Sequence, residues 1–191
     1  EKSDTYIDID DNLLILKDGK SLLRTSEASG YMHICQVGFD GSNRQITTGN
    51  WDVMEFLGIN EETQTIFYAS AEKGAIYKGI YSIKLDGSKK TALSSEKGYH
   101  HAQFAKGMKY FVRYSSYANI PNMVSLCDHN GEEIVSLENN QKLKDKLMSY
   151  DLTEKEFITI QGADGPLNAW IMKPRNFDPS KKYPVYINIY G

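Results

Sequence analysis

Two series of turn signals recur along this chain of 191 residues, and they restrict the folds open to it more than any other feature. Asp40-Gly41, Asp86-Gly87 and Asn130-Gly131 each sit between apolar runs. Such pairs close two-residue hairpins, because Gly, Asn and Asp accept the positive φ those turns need. A second series, Asp18-Gly19, Asn60-Glu61 and Lys106-Gly107, falls between the members of the first. Both repeat with a period of roughly 40–50 residues, which is the period of a four-stranded propeller blade. A plain β-sandwich is the alternative, since it has hairpins too.

The runs between the turns fit three units of four strands. The first unit predicts strands over Leu13–Leu16, Ser21–Thr25, Tyr31–Phe39 and Arg44–Thr47. The second predicts them over Val53–Ile59, Thr65–Ala69, Ile76–Leu85 and Lys90–Leu93, and the third over Ala102–Ala105, Lys109–Ser115, Met123–Cys127 and Glu133–Leu137. Val53–Ile59 is apolar at both parities, which predicts a strand covered on both faces. In Ile76–Leu85, Tyr77, Tyr81, Ile83 and Leu85 share one face while Lys78, Ser82 and Lys84 share the other, which predicts one wetter face. Three blades do not close a ring of the usual 4–8, so earlier blades are expected before Glu1.

The pattern changes after Leu137. Asn139-Asn140 can cap a helix, and Leu143, Leu147 and Tyr150 follow at helical spacing, predicting a short helix over Asn140–Ser149. Strands are then expected over Glu156–Gln161 and Leu167–Lys173, around the turn Gly162–Gly165. A last strand is expected at Pro184–Tyr190, where Val185, Ile187 and Ile189 alternate with Tyr186, Asn188 and Tyr190. So apolar a strand needs neighbours, and the chain ends directly after it, as though cut within a domain. The fold class expected is all-β: a partial β-propeller of about three blades, followed by the opening strands of another domain. The expected division is residues 1–138 as propeller, 139–152 as linker helix and 153–191 as the start of that domain.

Composition excludes several classes. A formal net charge of −3 predicts neither nucleic-acid nor membrane binding, and no apolar run is long enough to span a bilayer. Thirteen tyrosines with many Val, Ile and Thr lean towards β structure. The chain opens at Glu1-Lys2, with neither a starting Met nor a signal peptide, as a processed or engineered piece would. Cys35 and Cys127 each sit in an apolar strand-like run with no CxxC spacing, and read as buried thiols.

Few residues carry a chemical signal. His100-His101 is a tandem pair whose side chains would leave opposite faces of a strand, so the two cannot easily chelate one ion. His33 and His129 lie in other units. Asp8, Asp10 and Asp11 hint at calcium but lack the glycine and distal glutamate of a calcium loop. Glu61-Glu62, Glu132-Glu133 and Lys142–Lys146 read as solvated faces, and Tyr110, Tyr114 and Tyr117 as sheet packing. No cofactor and no metal are expected. Taken alone, Tyr190 reads as an ordinary interface tyrosine, and no G-x-S-x-G nucleophile elbow occurs in the sequence.

Three stretches carry a resemblance. Ser26–Ile34, SEASGYMHI, and Gln45–Val53, QITTGNWDV, resemble blades in the propeller of dipeptidyl peptidase IV-like serine peptidases. The tail is similar to the entry of that family's α/β-hydrolase domain: a strand, a proline-bearing loop with FDPSKKYP, then an apolar strand ending in Tyr-Gly. Bacterial, Bacteroidetes-type members look closest. The resemblance implies a secreted, periplasmic or cell-surface enzyme that releases dipeptides with Pro or Ala second from peptide N-termini. It uses a Ser–His–Asp triad beneath the propeller and often forms a homodimer. Tyr190 matches the family tyrosine that donates to the oxyanion of the tetrahedral intermediate. The triad and the acidic pair that anchors the substrate amine have no match here, so this chain is expected to be inactive alone. A non-catalytic propeller that binds protein or glycan through its rim loops is the competing expectation.

Overall fold

The computed structural model describes residues 12–150 and 152–189. The chain divides into two compact units, residues 1–144 and 145–191. The described residues of the first unit form three antiparallel sheets, each with its strands in chain order. They are β1 (Leu13–Ile15), β2 (Ser21–Ser26), β3 (His33–Gly38) and β4 (Asn43–Gln45); β5 (Val53–Asn60), β6 (Thr65–Ser70), β7 (Gly79–Lys84) and β8 (Thr91–Ala92); and β9 (Tyr99–Phe104), β10 (Tyr110–Tyr117), β11 (Ile120–Asp128) and β12 (Glu133–Glu138). This is the up-and-down blade pattern expected from the turn period, and the described residues are all-β apart from one short helix.

The turn residues act as their chemistry requires. Asp40 Oδ1 accepts from the Ser42 amide at 2.9 Å and the Ser42 hydroxyl at 2.7 Å. Asp86 Oδ1 accepts from the Ser88 amide at 2.9 Å. These side-chain turns lock the hairpins locally. The hydroxyl and amide of Ser42 hold the Asp40 carboxyl below its ordinary range, and those of Ser88 do the same for Asp86.

Two cores separate the three sheets. Leu16, Leu23, Ile34 and Ile46 meet Ile66, Tyr68, Tyr81 and Ile83 between the first and second sheets. Phe67, Ile80 and Leu93 meet Ala102, Phe111 and Cys127 between the second and third. Successive residues of β6 therefore serve opposite cores, Phe67 one and Tyr68 the other, as strand alternation dictates. Each such side chain contributes roughly 1.5–3 kcal/mol on burial.

Of two expectations about coverage, one holds in part and one is reversed. β5, read as covered on both faces, packs Phe56 and Ile59 against the first core and Leu57 against the second, though most of it is only half-buried at the edge of its sheet. β7, read as having a wetter face, is buried along nearly its whole length, and Lys78 and Ser82 are each only 8% exposed. Its two faces are covered by the two cores, Tyr81 and Ile83 in the first and Ile80 in the second, and Lys78, just before β7, tolerates burial by pairing its ammonium with Glu55 at 2.8 Å.

Polar contacts tie the sheets together at their margins. Arg44 donates to the Leu85 carbonyl at 2.8 Å, joining the first sheet to the second. Asn60 donates to the Gly107 carbonyl at 3.1 Å, joining the second to the third. The glycine of each later hairpin also allows close approach. A Cβ on Gly131 would lie 2.7 Å from Leu93 Cα, and one on Gly87 would lie 3.4 Å from the Ile46 carbonyl oxygen.

α1 (Gln141–Ser149) follows β12. The Asn140 carbonyl accepts the first helical hydrogen bond from the Lys144 amide at 2.9 Å, and Asn139 Oδ1 caps the Gln141 amide at 3.0 Å. In the second unit, β13 (Glu156–Gln161) and β14 (Pro166–Ile171) form a hairpin pairing Glu156 with Ile171 and Gln161 with Pro166. The expected strand at Pro184–Tyr190 does not form over residues 184–189. No strand among the described residues is paired with that segment, so its backbone has no ladder, and Val185, Ile187 and Ile189 are exposed. Tyr190 and Gly191 lie outside the described residues, as do Asp8, Asp10 and Asp11.

Candidate functional site

Successive turns of an up-and-down sheet alternate between its two ends, so the β4–β5, β6–β7 and β8–β9 connections share one end. They deliver Trp51, then Glu72 and Lys73, then Glu96. Together with Tyr81 of β7 and Lys90 beside β8, these side chains line a cleft of 340 Å³.

The cleft is organised around Trp51. Its indole is nearly parallel to the Tyr68 ring at 6.3 Å, and Tyr68 stacks in turn on Tyr81 at 5.6 Å. His33 meets the indole edge-on at 5.1 Å. The Lys90 ammonium lies 5.4 Å from the indole centroid and 2.6 Å from Glu72 Oε2. The Glu72 side chain is 8% exposed, so its carboxylate is desolvated but paired. At the mouth, Lys73 Nζ pairs with Glu96 Oε1 at 2.7 Å, with both side chains in water. Burial pushes the phenol of Tyr81 far above its ordinary pKa, and the charge of Glu72 adds to the effect. The Tyr68 phenol is pushed up for the same reasons, and its hydroxyl has no hydrogen-bond partner among the described residues. Both tyrosines are therefore neutral walls, not acids.

A second polar cluster joins the second and third sheets. Glu55 Oε2 lies 2.8 Å from Lys78 Nζ and 3.4 Å from His101 Nδ1. The tandem histidines do part company, as strand alternation requires. His101 is half-exposed beside Tyr114, whereas His100 is buried. His100 Nε2 donates to the Lys97 carbonyl at 3.0 Å, which leaves Nδ1 to accept from the Ser115 hydroxyl at 3.0 Å. His33 is wired the same way, with Nε2 donating to the Gly49 carbonyl and Nδ1 accepting from Thr47. Both rings pin a connection to a strand, each beside an aromatic edge. Among the described residues no group of three or more His, Cys, Asp and Glu is placed to hold a metal ion. Cys35 and Cys127 are buried and form no disulfide, and burial raises the Cys127 thiol pKa.

Sequence reasoning did not anticipate the Trp51 cleft. Trp51 lies within the QITTGNWDV stretch, but Glu72, Lys73 and Glu96 carry no motif, and only the shared end of three connections brings them together. No helix among the described residues is long and apolar enough to cross a membrane.

Residues 1–122 match the family model described as the dipeptidyl peptidase IV N-terminal region. Dipeptidyl peptidase 4 of Trichophyton equinum is 31% identical over 172 residues, covering 87% of this chain and 22% of that protein. The Arthroderma otae dipeptidyl peptidase 4 is also 31% identical, over 173 residues, with the same coverage. The crystal structure of Porphyromonas gingivalis dipeptidyl peptidase 4 superposes with a TM-score of 0.82 at 37% identity, covering 91% of this chain and 25% of that one. A Bacteroides ovatus structure, 23% identical, repeats the fold with a TM-score of 0.76 over 90% of this chain and 27% of its own. The chain thus spans about a quarter or less of the length of these relatives. With a family model covering well over half of its residues, the chain belongs to the dipeptidyl peptidase IV family.

Proposed function

We propose that this chain is part of a serine-type dipeptidyl peptidase that releases dipeptides with Pro or Ala second from peptide N-termini. Residues 1–138 are the closing part of its propeller, residues 139–152 a linker helix, and residues 153–191 the first strands of an α/β-hydrolase domain. The observation that carries the reading is the superposition on the Porphyromonas gingivalis dipeptidyl peptidase 4, which covers 91% of this chain. The family membership supports it for the propeller part.

In this reading the three sheets scaffold and gate the reacting centre, restricting access to extended peptides. The chain contributes one reacting-centre group, Tyr190. Its neutral phenol is a rigid donor at neutral pH. Aimed at the developing oxyanion, such a donor is worth about 3 kcal/mol of barrier. The nucleophile and its base are supplied by residues other than these 191, so the chain alone has no acyl-transfer chemistry. The parent works outside the cytoplasm, in the periplasm, at the cell surface or secreted, and it pairs as a homodimer.

The test is an X-Pro chromogenic substrate offered to this chain alone and to the full-length protein. Release by the full-length protein only is the expected result. Release by this chain alone, or by neither, overturns the reading. Tyr190→Phe in the full-length protein should lower kcat on the order of 10²-fold with KM little changed.

A further inference from the structure

The Trp51 cleft has no part in the scheme above, yet it combines features that a packing gap lacks. Its two ion pairs differ in kind. The inner pair, Glu72 with Lys90, is held by a nearly buried carboxylate and by the indole beneath the ammonium. The outer pair, Lys73 with Glu96, stands in water with side chains 42% and 74% exposed. An exposed pair of this kind is worth only about 0–1 kcal/mol, so exchanging its partners costs little. The apolar surfaces of Trp51 and Tyr81 line the same cleft.

We propose that this cleft binds short zwitterionic peptides of dipeptide size, the ammonium taking Glu96 and the carboxylate taking Lys73. The charge pattern selects the ligand class. A zwitterion replaces both members of the outer pair and leaves no charge unpartnered. A ligand with a single charge frees one of them and satisfies only the other. Size selects further, because 340 Å³ sits at the small end of ligand sites and suits a molecule on the order of 200 Å³, but not a long peptide. The aromatic wall takes a small aliphatic side chain or a pyrrolidine ring. Every lining residue belongs to one compact unit. The identification of the ligand as the product dipeptide rests on the peptidase reading, and it makes the cleft a site where released product returns to the propeller.

The experiment is calorimetric titration of Ala-Pro into the full-length protein with its reactive serine chemically blocked. The same titration is made with N-acetyl-Ala-Pro-amide, which has neither terminal charge. Saturable binding of Ala-Pro, at least tenfold weaker for the capped compound, is expected. Lys73→Ala and Glu96→Ala alter only exposed side chains and should each weaken Ala-Pro binding about tenfold. Equal binding of both compounds, no binding at millimolar concentration, or binding indifferent to both substitutions overturns the proposal. Dipeptide release by the unblocked protein is measured alongside. Release without binding overturns the cleft assignment alone, whereas loss of release overturns the peptidase reading from which the product identity comes.

Discussion

Arg113 of β10 donates to the Leu93 carbonyl at 3.1 Å, across the boundary between the second and third sheets. The same Nη1 reaches the Gly131 carbonyl at 3.2 Å, and Nη2 lies 3.4 Å from Glu133 Oε2. One guanidinium therefore ties a strand, a hairpin and the neighbouring sheet. Arg44 makes the corresponding link one sheet earlier by donating to Leu85. Arg113→Ala should lower stability by about 1–3 kcal/mol, since it strips a charged donor from two carbonyls at a part-buried site. Arg113→Lys should recover less than half of that, because an ammonium cannot reproduce the fork. Urea denaturation of the two variants measures both.

Gly131 sits against Leu93 with φ at +86°, in the left-handed region that favours glycine. Gly131→Ala places a methyl 2.7 Å from both Leu93 Cα and its carbonyl oxygen, atoms of a backbone that cannot rotate away. The expected loss is about 2 kcal/mol or more. Gly41→Ala, at a like φ of +90° with open space around it, should cost less. Thermal melts of the pair separate crowding from backbone strain.

Tyr68 is fully buried, and its hydroxyl has no partner among the described residues. Tyr68→Phe keeps the ring stack with Trp51 and Tyr81 and removes the unsatisfied group. Stability should stay level or rise by up to about 1 kcal/mol. A fall of that size in chemical denaturation would show that the hydroxyl is bound in solution.

His100 is buried as a neutral ring, and its pKa is lowered chiefly by desolvation. The unfolded chain therefore takes up a proton at that position more readily than the folded one. Stability from the neutral ring is present above the ordinary histidine range and is lost as pH falls through about 6.5, by at most about 1.4 kcal/mol per pH unit. Denaturation at pH 7.5 and 5.5 should show a larger drop for the unaltered protein than for His100→Gln.

Much of the architecture was legible because its signals are local. Asp-Gly and Asn-Gly pairs marked the hairpins, and strand alternation separated His100 from His101. Coverage was not legible, because it depends on what packs across a face. Lys78 looked wet but is buried beside Glu55, which lies 23 residues away in the chain. The segment at residues 184–189 has the alternation of a strand, yet pairing also needs a partner ladder. The Trp51 cleft escaped notice for a related reason. Glu72 and Lys73 come from one connection and Glu96 from another, each ordinary by itself, and only the alternating direction of the strands gathers them.

Phe67 and Tyr68, adjacent on β6, commit their rings to different cores, so one strand of the middle sheet is bolted to both flanking sheets. Loosening either flank uncovers a face of that strand, and the loss then reaches the other flank. The three sheets should accordingly open as one cooperative block, with the β6 and β7 amides the last to exchange with deuterated solvent.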